Sequence, residues 1–123
     1  MDQTSQIIIE AAIDVHRKLG PGLLESVYQT CTAHYLREAN QKVLTELALP
    51  VIYREVKLDP GFRVDLLVND CVIVELKSVE QVLPLHHAQV LSYLRLSGLR
   101  LGLLINFNVP RLVVGIKRIV NNF

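Results

Sequence analysis

Three ionisable residues in two neighbouring β-rich runs have the types and spacing of a site that could bind a cation and a phosphate. Asp65 lies in the run Phe62–Val68, and Glu75 and Lys77 lie in the run Cys71–Lys77. Because side chains alternate between the two faces of a strand, Glu75 and Lys77 point to the same face. Two carboxylates beside one ammonium group can hold a divalent cation and position a water molecule for hydrolysis.

The aliphatic residues of these two runs decide how the strands pair. Alternation assigns one face of the first run to Val64, Leu66 and Val68. This face matches the aliphatic face of the second run in an antiparallel register that pairs Leu66 with Val74 and Val68 with Val72. The register leaves residues 69–71 as the connection and sets Asp65 opposite Glu75, with Cβ atoms about 4.5–5.5 Å apart. A two-residue turn would instead separate the carboxylates and spoil both apolar surfaces.

The facing carboxylates require a charge partner. They repel each other, and burial makes the repulsion costlier unless a proton or a cation relieves it. A divalent metal does so most directly, since carboxylate and water oxygens suit Mg²⁺ or Mn²⁺. The alternative is a buried ion-pair network of Asp65, Glu75 and Lys77 without chemistry, although buried ion pairs often stabilise no more than apolar replacements. We therefore favour a functional site over the ion-pair network.

The rest of the chain predicts the elements that must position these side chains. Apolar residues at helical spacing predict helices over Ser5–Leu19, from just after Gly22 to about Asn40, and over Pro84–Leu96. Apolar and β-branched runs predict strands at Val43–Tyr53, Phe62–Val68, Cys71–Lys77 and Leu101–Phe107. Pro50 indicates an edge strand or a bend. The tail Leu112–Val120 is predicted to be a last strand, with a short helix through Gly115–Val120 as the open alternative.

This order of elements predicts an α/β sandwich, in which helices cover a central sheet. The runs VIVEL and LGLLIN are nearly all apolar, which is typical of central strands covered on both faces. We expect residues 1–123 to form a single domain. A chain of 123 residues can bury a core without the support of a metal or a disulfide.

Composition and charge exclude several classes of protein. The chain has 13 Lys+Arg, 12 Asp+Glu and 50% hydrophobic residues, which excludes a disordered chain, collagen and a charged low-complexity tail. Cys31 and Cys71 lack the paired spacing of a zinc or redox site and are predicted to be buried free thiols. All acidic residues lie within the first 80 positions, so residues 81–123 carry five cations and no anion. These cations could attract a polyanion if they converge, but solvated surface charges are slightly favoured.

The N-terminal sequence MDQTSQIIIEAAID contains acidic residues and lacks the basic start of a secretory signal. No apolar run approaches the ~20 residues of a membrane span. We expect a cytoplasmic protein without a membrane partner.

Several motifs, in order along the chain, resemble one family. The segment Gly22–Tyr28 (GLLESVY) has the pattern for which GxxExxY proteins are named, and FRVDLLV, VIVELKSVE, AQVLSYL and LGLLINFNVP look like later segments of the same family. The resemblance covers nearly the whole chain. That family is placed in the PD-(D/E)XK nuclease superfamily, so the resemblance implies a restriction-endonuclease-like fold, a central mixed sheet flanked by helices.

The resemblance also implies roles for individual residues. Asp65 followed by Glu75-Leu76-Lys77 matches the Asp and Glu-x-Lys of the superfamily, with Val64 where a proline usually precedes the aspartate. Glu25 matches the helical acid that completes the metal shell in many members, beside Asp65 and Glu75. Lys77 is then the group that orients the attacking water.

Gln89 and Tyr93 resemble the QxxxY motif of the RecB-like branch. Together with Arg95 they are the residues expected to contact the nucleic acid. The implied activity is hydrolysis of phosphodiester bonds with Mg²⁺ or Mn²⁺, and DNA is the expected substrate. The rival hypothesis is a non-catalytic nucleic-acid-binding or assembly module that keeps the fold, which the net charge of +1 and the small size favour. A homodimer would allow two sites to face two strands.

The histidines and Tyr28 could have structural roles instead of functional ones. His86 and His87 are adjacent, so their side chains point about 100° apart on a helix, and solvent-exposed positions at the helix start are favoured for them. His16 and His34 are predicted to be structural. For Tyr28, as for Tyr93, core packing and a direct role are equally open. The chain has no Ser-His-Asp order, Walker loop or dinucleotide fingerprint, which leaves no competing class of enzyme.

Overall fold

A computed structural model describes residues 2–122 of the chain. In this range the elements are α1 (Asp2–Leu19), α2 (Glu25–Glu38), β1 (Val43–Tyr53), β2 (Val56–Val68), β3 (Val72–Lys77), α3 (Pro84–Ser97), β4 (Leu101–Asn106), a 3-10 turn (Leu112–Gly115) and β5 (Ile116–Val120). The three predicted helices and the predicted strands are confirmed. Helix α1 ends where Gly20 adopts φ 74° and donates its N–H to His16 O at 2.8 Å, a left-handed helix end that favours glycine.

The five strands form one mixed sheet in the order β1-β2-β3-β4-β5. Strands β3 and β4 are parallel, because α3 carries the chain back between them, and the other neighbouring pairs are antiparallel. Between β2 and β3 the register pairs Leu66 with Val74 and Val68 with Val72. The predicted fold class and the predicted register are both confirmed.

Helices cover both faces of this sheet. On one face, α1 and α2 contribute Ile8, Ala12, Tyr28 and Leu36 to a core that includes the sheet residues Leu66, Val74, Leu103 and Ile105. On the other face, Val90 and Leu94 of α3 pack with Ile73, Leu104 and Ile119. Strands β3 and β4 therefore supply side chains to both cores, as their nearly continuous apolar sequences predict.

The β1–β2 hairpin is longer than the sequence predicts. Strand β2 begins at Val56 rather than at Phe62, because the chain turns tightly at Arg54 and Glu55, whose φ angles are 51° and 67°. Strand β1 is the edge of the sheet, and the pairing shifts between Leu49 and Val51, on either side of Pro50. Pro50 thus marks both an edge strand and a bulge.

The predicted face of Val64 is wrong. Leu66 and Val68 pack with α1 and α2, whereas Val64 packs with α3. The alternation of β2 is interrupted between Val64 and Leu66, at the level where Glu46 of β1 adopts φ 51°. The β1–β2 ladder pairs Thr45 with Leu66 and Leu47 with Val64 and shows no pair between them. The pairing of β1 with β2 is therefore irregular at this level.

The tail and the cysteines differ in detail from expectation. The tail is a strand from Ile116, preceded by the 3-10 turn, so the alternative of a helix through Gly115–Val120 is wrong. Strand β5 pairs with β4, so the backbone groups of the tail are hydrogen-bonded within the sheet. Cys31 and Cys71 are free, as predicted, but each is partly exposed rather than buried.

No helix within residues 2–122 is both long enough and apolar enough to cross a bilayer.

Gly102 in β4 sets how closely α3 approaches the sheet. A Cβ atom at this position would lie 2.7 Å from Val90 Cγ1 and 3.4 Å from Leu94 Cδ1. We expect Gly102→Ala to push α3 outward and to lower the free energy of unfolding by about 1–3 kcal/mol, measured by urea denaturation. Ser92→Ala, at an exposed position of α3, is the control and should change it by less than about 0.5 kcal/mol. Equal midpoints for both variants would show that the close approach of α3 contributes nothing.

Candidate active site

Asp65 and Glu75 lie side by side on β2 and β3, and each carboxylate accepts a hydrogen bond from the backbone of the neighbouring strand. The N–H of Asp65 donates to Glu75 Oε1 at 3.0 Å, and the N–H of Leu76 donates to Asp65 Oδ2 at 2.8 Å. No described residue donates a hydrogen bond to the other two carboxylate oxygens, Asp65 Oδ1 and Glu75 Oε2. The predicted juxtaposition is confirmed, and one oxygen of each carboxylate is available to a ligand.

Burial raises the pKa of both carboxylic acids. Glu75 is 6% exposed, and burial followed by the negative charge of Asp65 raises its pKa to about 7. Burial is also the largest cause for Asp65, whose pKa is raised although the hydrogen bond from Leu76 lowers it, and the charge of Glu46 raises it further. Both acids therefore lack sufficient compensation for their negative charge, a condition that a cation at this position would relieve.

Lys77 lies at the C-terminal end of β3, half-buried and two residues beyond Glu75. Its positive charge lowers the pKa of both Asp65 and Glu75, though by less than burial raises it. Within residues 2–122, no ion pair joins Lys77 to either carboxylate. The closed ion-pair network, the alternative to a functional site, is therefore not formed, and the ammonium group remains available to a substrate.

Glu46 is a residue of this region that the sequence did not identify. It is exposed on β1, and its charge contributes more to the raised pKa of Asp65 than the charge of Glu25 does. A glutamate at φ 51° is unusual, since residues other than glycine, asparagine and aspartate rarely adopt the left-handed backbone conformation. Nothing in the sequence of β1 signals this conformation, so its position beside Asp65 could be found only from the sheet.

Glu25 is the first residue of α2 and binds the segment that follows β3. Its Oε2 accepts a hydrogen bond from the N–H of Ser78 at 3.2 Å, and Ser78 Oγ donates to Leu23 O at 2.6 Å. The charge of Glu25 raises the pKa of both Asp65 and Glu75, so it lies within electrostatic reach of them. A depression of about 360 Å³ at this point is lined by Leu23, Leu24, Glu25, Ser26 and Ser78.

Asn106, at the end of β4, holds the same segment from the other side. Its Oδ1 accepts from the N–H of Val79 at 3.1 Å, and its Nδ2 donates to Val79 O at 2.9 Å. The N–H of Phe107 donates to Lys77 O at 2.8 Å. Asn106 is 3% exposed, so these bonds satisfy a buried amide that would otherwise destabilise the fold. The backbone from Lys77 to Val79 is therefore fixed between α2 and β4, a role that the sequence analysis did not assign to Asn106.

Tyr93 of α3 lies on the face of the sheet that α3 covers, which is the face of Ile73 and, by alternation, of Glu75. Its ring stacks on Phe62, with ring centroids 4.4 Å apart and planes 4° apart. Burial, followed by the charges of Glu75 and Asp65, raises the pKa of Tyr93. Gln89 lies one turn earlier on the same side of the helix. The structure thus brings Tyr93 to the carboxylate pair, with Phe62 as a support that the sequence analysis missed.

Residues 2–119 match the family model of the PD-(D/E)XK nuclease superfamily. The chain belongs to this superfamily. No curated protein and no solved structure gives a significant match to it. Proteins of this superfamily are typically hydrolytic nucleases that use divalent metal ions. The membership therefore indicates a nuclease.

The carboxylate pair fits a divalent cation of the kind used in the superfamily. Mg²⁺ is commonly held by one or two carboxylates together with waters and substrate phosphates, and Asp65 Oδ1 and Glu75 Oε2 are two such donors in an electrostatically uncompensated place. No three His, Cys, Asp or Glu side chains in the described part of the chain form a group that could hold a metal. Asp65 and Glu75 thus form a pair of carboxylates. Glu25 does not complete a three-carboxylate group with them, because it accepts a hydrogen bond from Ser78.

The other candidates from the sequence have structural positions. Tyr28 is fully buried, stacks on Phe107 at 4.3 Å and donates its hydroxyl to Gly20 O at 2.6 Å, which decides for core packing. His16 Nε2 bonds to Val109 O at 2.8 Å, a structural role as predicted. His34 pairs with Glu38 on the surface of α2.

The adjacent histidines His86 and His87 make different contacts. His86 Nδ1 accepts a hydrogen bond from the N–H of Leu83 at the start of α3, at 3.0 Å. His87 is exposed. Their placement agrees with the expectation that they occupy the helix start and do not form a joint site.

Three of the basic residues of the C-terminal third, Arg95, Lys117 and Arg118, lie on different surfaces. Arg95 is exposed two residues beyond Tyr93, about 200° around the helix, and so faces away from it. Lys117 lies beside the start of α3, whereas Arg118 lies beside α1 and donates to Ser5 Oγ at 2.6 Å. These three charges therefore do not form one basic surface.

Proposed function

We propose that this chain is a metal-dependent nuclease that hydrolyses phosphodiester bonds of nucleic acid, with DNA as its substrate and residues 1–123 as its single domain. The observation that carries the proposal is the uncompensated pair of Asp65 and Glu75, with the unpaired Lys77 two residues beyond Glu75. A purely structural cluster would be expected to use the nearby lysine to neutralise the buried acids.

In this mechanism Asp65 and Glu75 would hold Mg²⁺ or Mn²⁺, and Glu25, which accepts from Ser78 in this structure, would be the third carboxylate. The cation would supply positive charge against the negative charge that develops on the scissile phosphate. Lys77 orients the water that attacks phosphorus, and its ammonium group donates to an oxygen of the phosphate. One P–O bond forms as the bond to the leaving oxygen breaks, the water loses a proton to solvent, and the leaving oxygen takes one up.

The structure supports further roles for residues around this centre. Tyr93, held by Phe62 and near the carboxylates, and Gln89 one turn away would contact the phosphate backbone. Asn106 fixes the backbone that follows Lys77. Arg95 faces away from Tyr93 and would contact only a substrate that extends past α3. These features, with the GLLESVY segment, are why we assign the chain to the GxxExxY family and the RecB-like branch.

A non-catalytic nucleic-acid-binding or assembly module is the second candidate. Two observations favour it, namely that no group of three metal-ligating side chains occurs within residues 2–122 and that the basic residues Lys117 and Arg118 lie on different surfaces. Incubation of the purified protein with labelled single- and double-stranded DNA and RNA, with Mg²⁺, Mn²⁺ or chelator, separates the two. Cleavage that requires metal supports the nuclease, whereas binding without cleavage supports the module.

Metal binding itself is tested by thermal unfolding with and without millimolar Mn²⁺. We expect the metal to raise the melting temperature of the wild type, since a ligand of the folded state stabilises it by mass action. Asp65→Asn should abolish most of this increase. Asp70→Asn, at an exposed position of the turn between β2 and β3, is the matched control and should retain the metal-induced increase. No metal-induced increase in the wild type would contradict the proposed metal centre.

The role of Glu25 is separable because its hydrogen bond does not require a charge. Glu25→Gln keeps an oxygen that accepts from Ser78, so we expect its melting temperature without metal to stay close to that of the wild type. If Glu25 is a third metal ligand, the same variant binds Mn²⁺ several-fold more weakly in calorimetry. Glu25→Ala should lose both properties, and Glu38→Gln neither. Wild-type metal affinity in Glu25→Gln would restrict Glu25 to anchoring Ser78.

A further inference from the structure

The ring of His86 uses one of its two nitrogen atoms within the protein. His86 is the third residue of α3, and its Nδ1 accepts a hydrogen bond from the N–H of Leu83 at 3.0 Å. Because a backbone N–H can only donate, Nδ1 is unprotonated and the neutral ring carries its proton on Nε2. Among residues 2–122, no group accepts a hydrogen bond from this Nε2. The partly buried ring therefore has a fixed tautomer and one unused donor.

The two flanks of α3 border different parts of the sheet. On one flank, Tyr93 stacks on Phe62 of β2. On the other, His87 lines a depression together with Lys117 of β5. Strands β2 and β5 lie on opposite sides of the β3–β4 pair, so the flank of Tyr93 is the one that faces the carboxylates of β2 and β3. We call it the active-site flank.

His86 lies on the active-site flank. His86, Gln89 and Tyr93 are spaced by three and four residues, so they project from one side of the helix. Seven residues turn an α-helix by about 700°, which returns His86 to within about 20° of Tyr93. His87 is turned by about a further 100°, in agreement with its place beside Lys117.

The path of the chain sets the direction in which these side chains extend. Helix α3 connects the parallel strands β3 and β4, so it runs antiparallel to β3 and begins beside the end of β3 at which Lys77 lies. From Tyr93 to His86 the helix covers about 10 Å. His86, Gln89 and Tyr93 therefore form a line that starts beside the carboxylates and passes toward the Lys77 end of the site.

From this line we infer that His86 is a substrate-binding residue, whose Nε2 donates to a phosphate oxygen of the nucleic-acid backbone near the scissile bond. Successive phosphates of one B-form strand advance by about 3.4 Å along the axis, so a strand that follows α3 brings about its third phosphate to His86. Contacts from polar side chains to phosphates fix the register of a bound backbone. The first turn of α3 contains no acidic residue that would repel a phosphate. The inference rests on the proposed function and names one of its substrate contacts.

The helix cap and the proposed contact use different nitrogen atoms, so one substitution separates them. A glutamate at the third position of a helix accepts from the N–H that precedes the helix, as in a capping box. His86→Glu therefore keeps an acceptor for Leu83 but has no N–H, and its melting temperature should match that of the wild type. His87→Glu introduces the same charge on the other flank and is the matched control.

Fluorescence anisotropy with short fluorescein-labelled single- and double-stranded DNA measures binding in Ca²⁺, which carboxylates also bind. We expect His86→Glu to bind about tenfold more weakly than His87→Glu, since a hydrogen bond to an ionised acceptor contributes roughly this factor. In cleavage assays with Mn²⁺ the loss should appear in KM, because a contact remote from the reacting atoms is equal in the ground and transition states. If His86→Glu fails to fold, long-range ¹H–¹⁵N spectra of the wild type replace it, and Nε2 of His86 should shift when DNA is added.

The outcomes separate this contact from the proposed nuclease activity. Equal affinities of His86→Glu and His87→Glu, with cleavage by the wild type, would restrict His86 to capping α3 and leave the nuclease intact. Weaker binding by His86→Glu alone, without cleavage by the wild type, would support the contact and favour the binding module. A wild type that neither binds nor cleaves the DNA, or an Nε2 signal that DNA does not change, would overturn the contact.

Discussion

Replacing Lys77 by methionine should reduce the rate of nucleic-acid cleavage by about 10²–10³-fold, the usual effect of removing one preorganised donor from a hydrolytic site. The affinity for Mn²⁺ should stay equal or increase, because the substitution removes a cation that lies near two uncompensated carboxylates. The reason for the split is that Lys77 acts on charge that develops at phosphorus, an interaction stronger in the transition state than in the ground state. Cleavage of labelled DNA and RNA and calorimetry with Mn²⁺ measure the two quantities.

Methionine keeps most of the length and apolar surface of the lysine stem, so the comparison isolates the ammonium group. Lys18→Met, at an exposed position of α1, is the matched control and should cleave like the wild type. Equal cleavage by Lys77→Met would assign Lys77 to a structural role. Absence of cleavage by the wild type with every metal and substrate would favour the binding module.

Glu75→Gln should stabilise the metal-free protein at pH 8. The folded-state pKa of Glu75 is raised from 4.5 to about 7, so folding favours the protonated form. The stabilisation from this group is complete below the unfolded pKa and is lost as the pH rises through about 7. A shift of this size corresponds to a cost of about 3 kcal/mol once the acid is ionised. Glutamine stays neutral and keeps an oxygen for the N–H of Asp65.

Melting temperatures measured with chelator between pH 4.5 and pH 8 test this expectation. The gain from Glu75→Gln should be several degrees at pH 8 and should vanish near pH 4.5. Glu80→Gln, at an exposed position after β3, is the control and should show no such trend. Added Mn²⁺ should raise the melting temperature of the wild type more than that of Glu75→Gln. A pH-independent difference between Glu75→Gln and the wild type would contradict the electrostatic account of the pair.

Local patterns in the sequence were enough to place the central features of this protein. The period of the apolar residues located the three helices, and the aliphatic faces of β2 and β3 determined a register in which Asp65 faces Glu75. This succeeds because a shift of one residue would turn an entire apolar face toward solvent. The ordered motifs likewise pointed to the superfamily that residues 2–119 match.

The tertiary structure decided what depends on residues distant in the chain. Glu46 is left-handed and Val64 packs in the core opposite to that of Leu66, and neither feature leaves a mark in a pattern of polar and apolar residues. The bonds of Glu25 with Ser78 and of Asn106 with Val79 join segments that are 53 and 27 residues apart. Periodicity identifies which face a residue occupies within its own element, but contacts between elements are set by how those elements pack. Electrostatic compensation at the carboxylates is such a property, since it sums over β1, β2, β3 and α2.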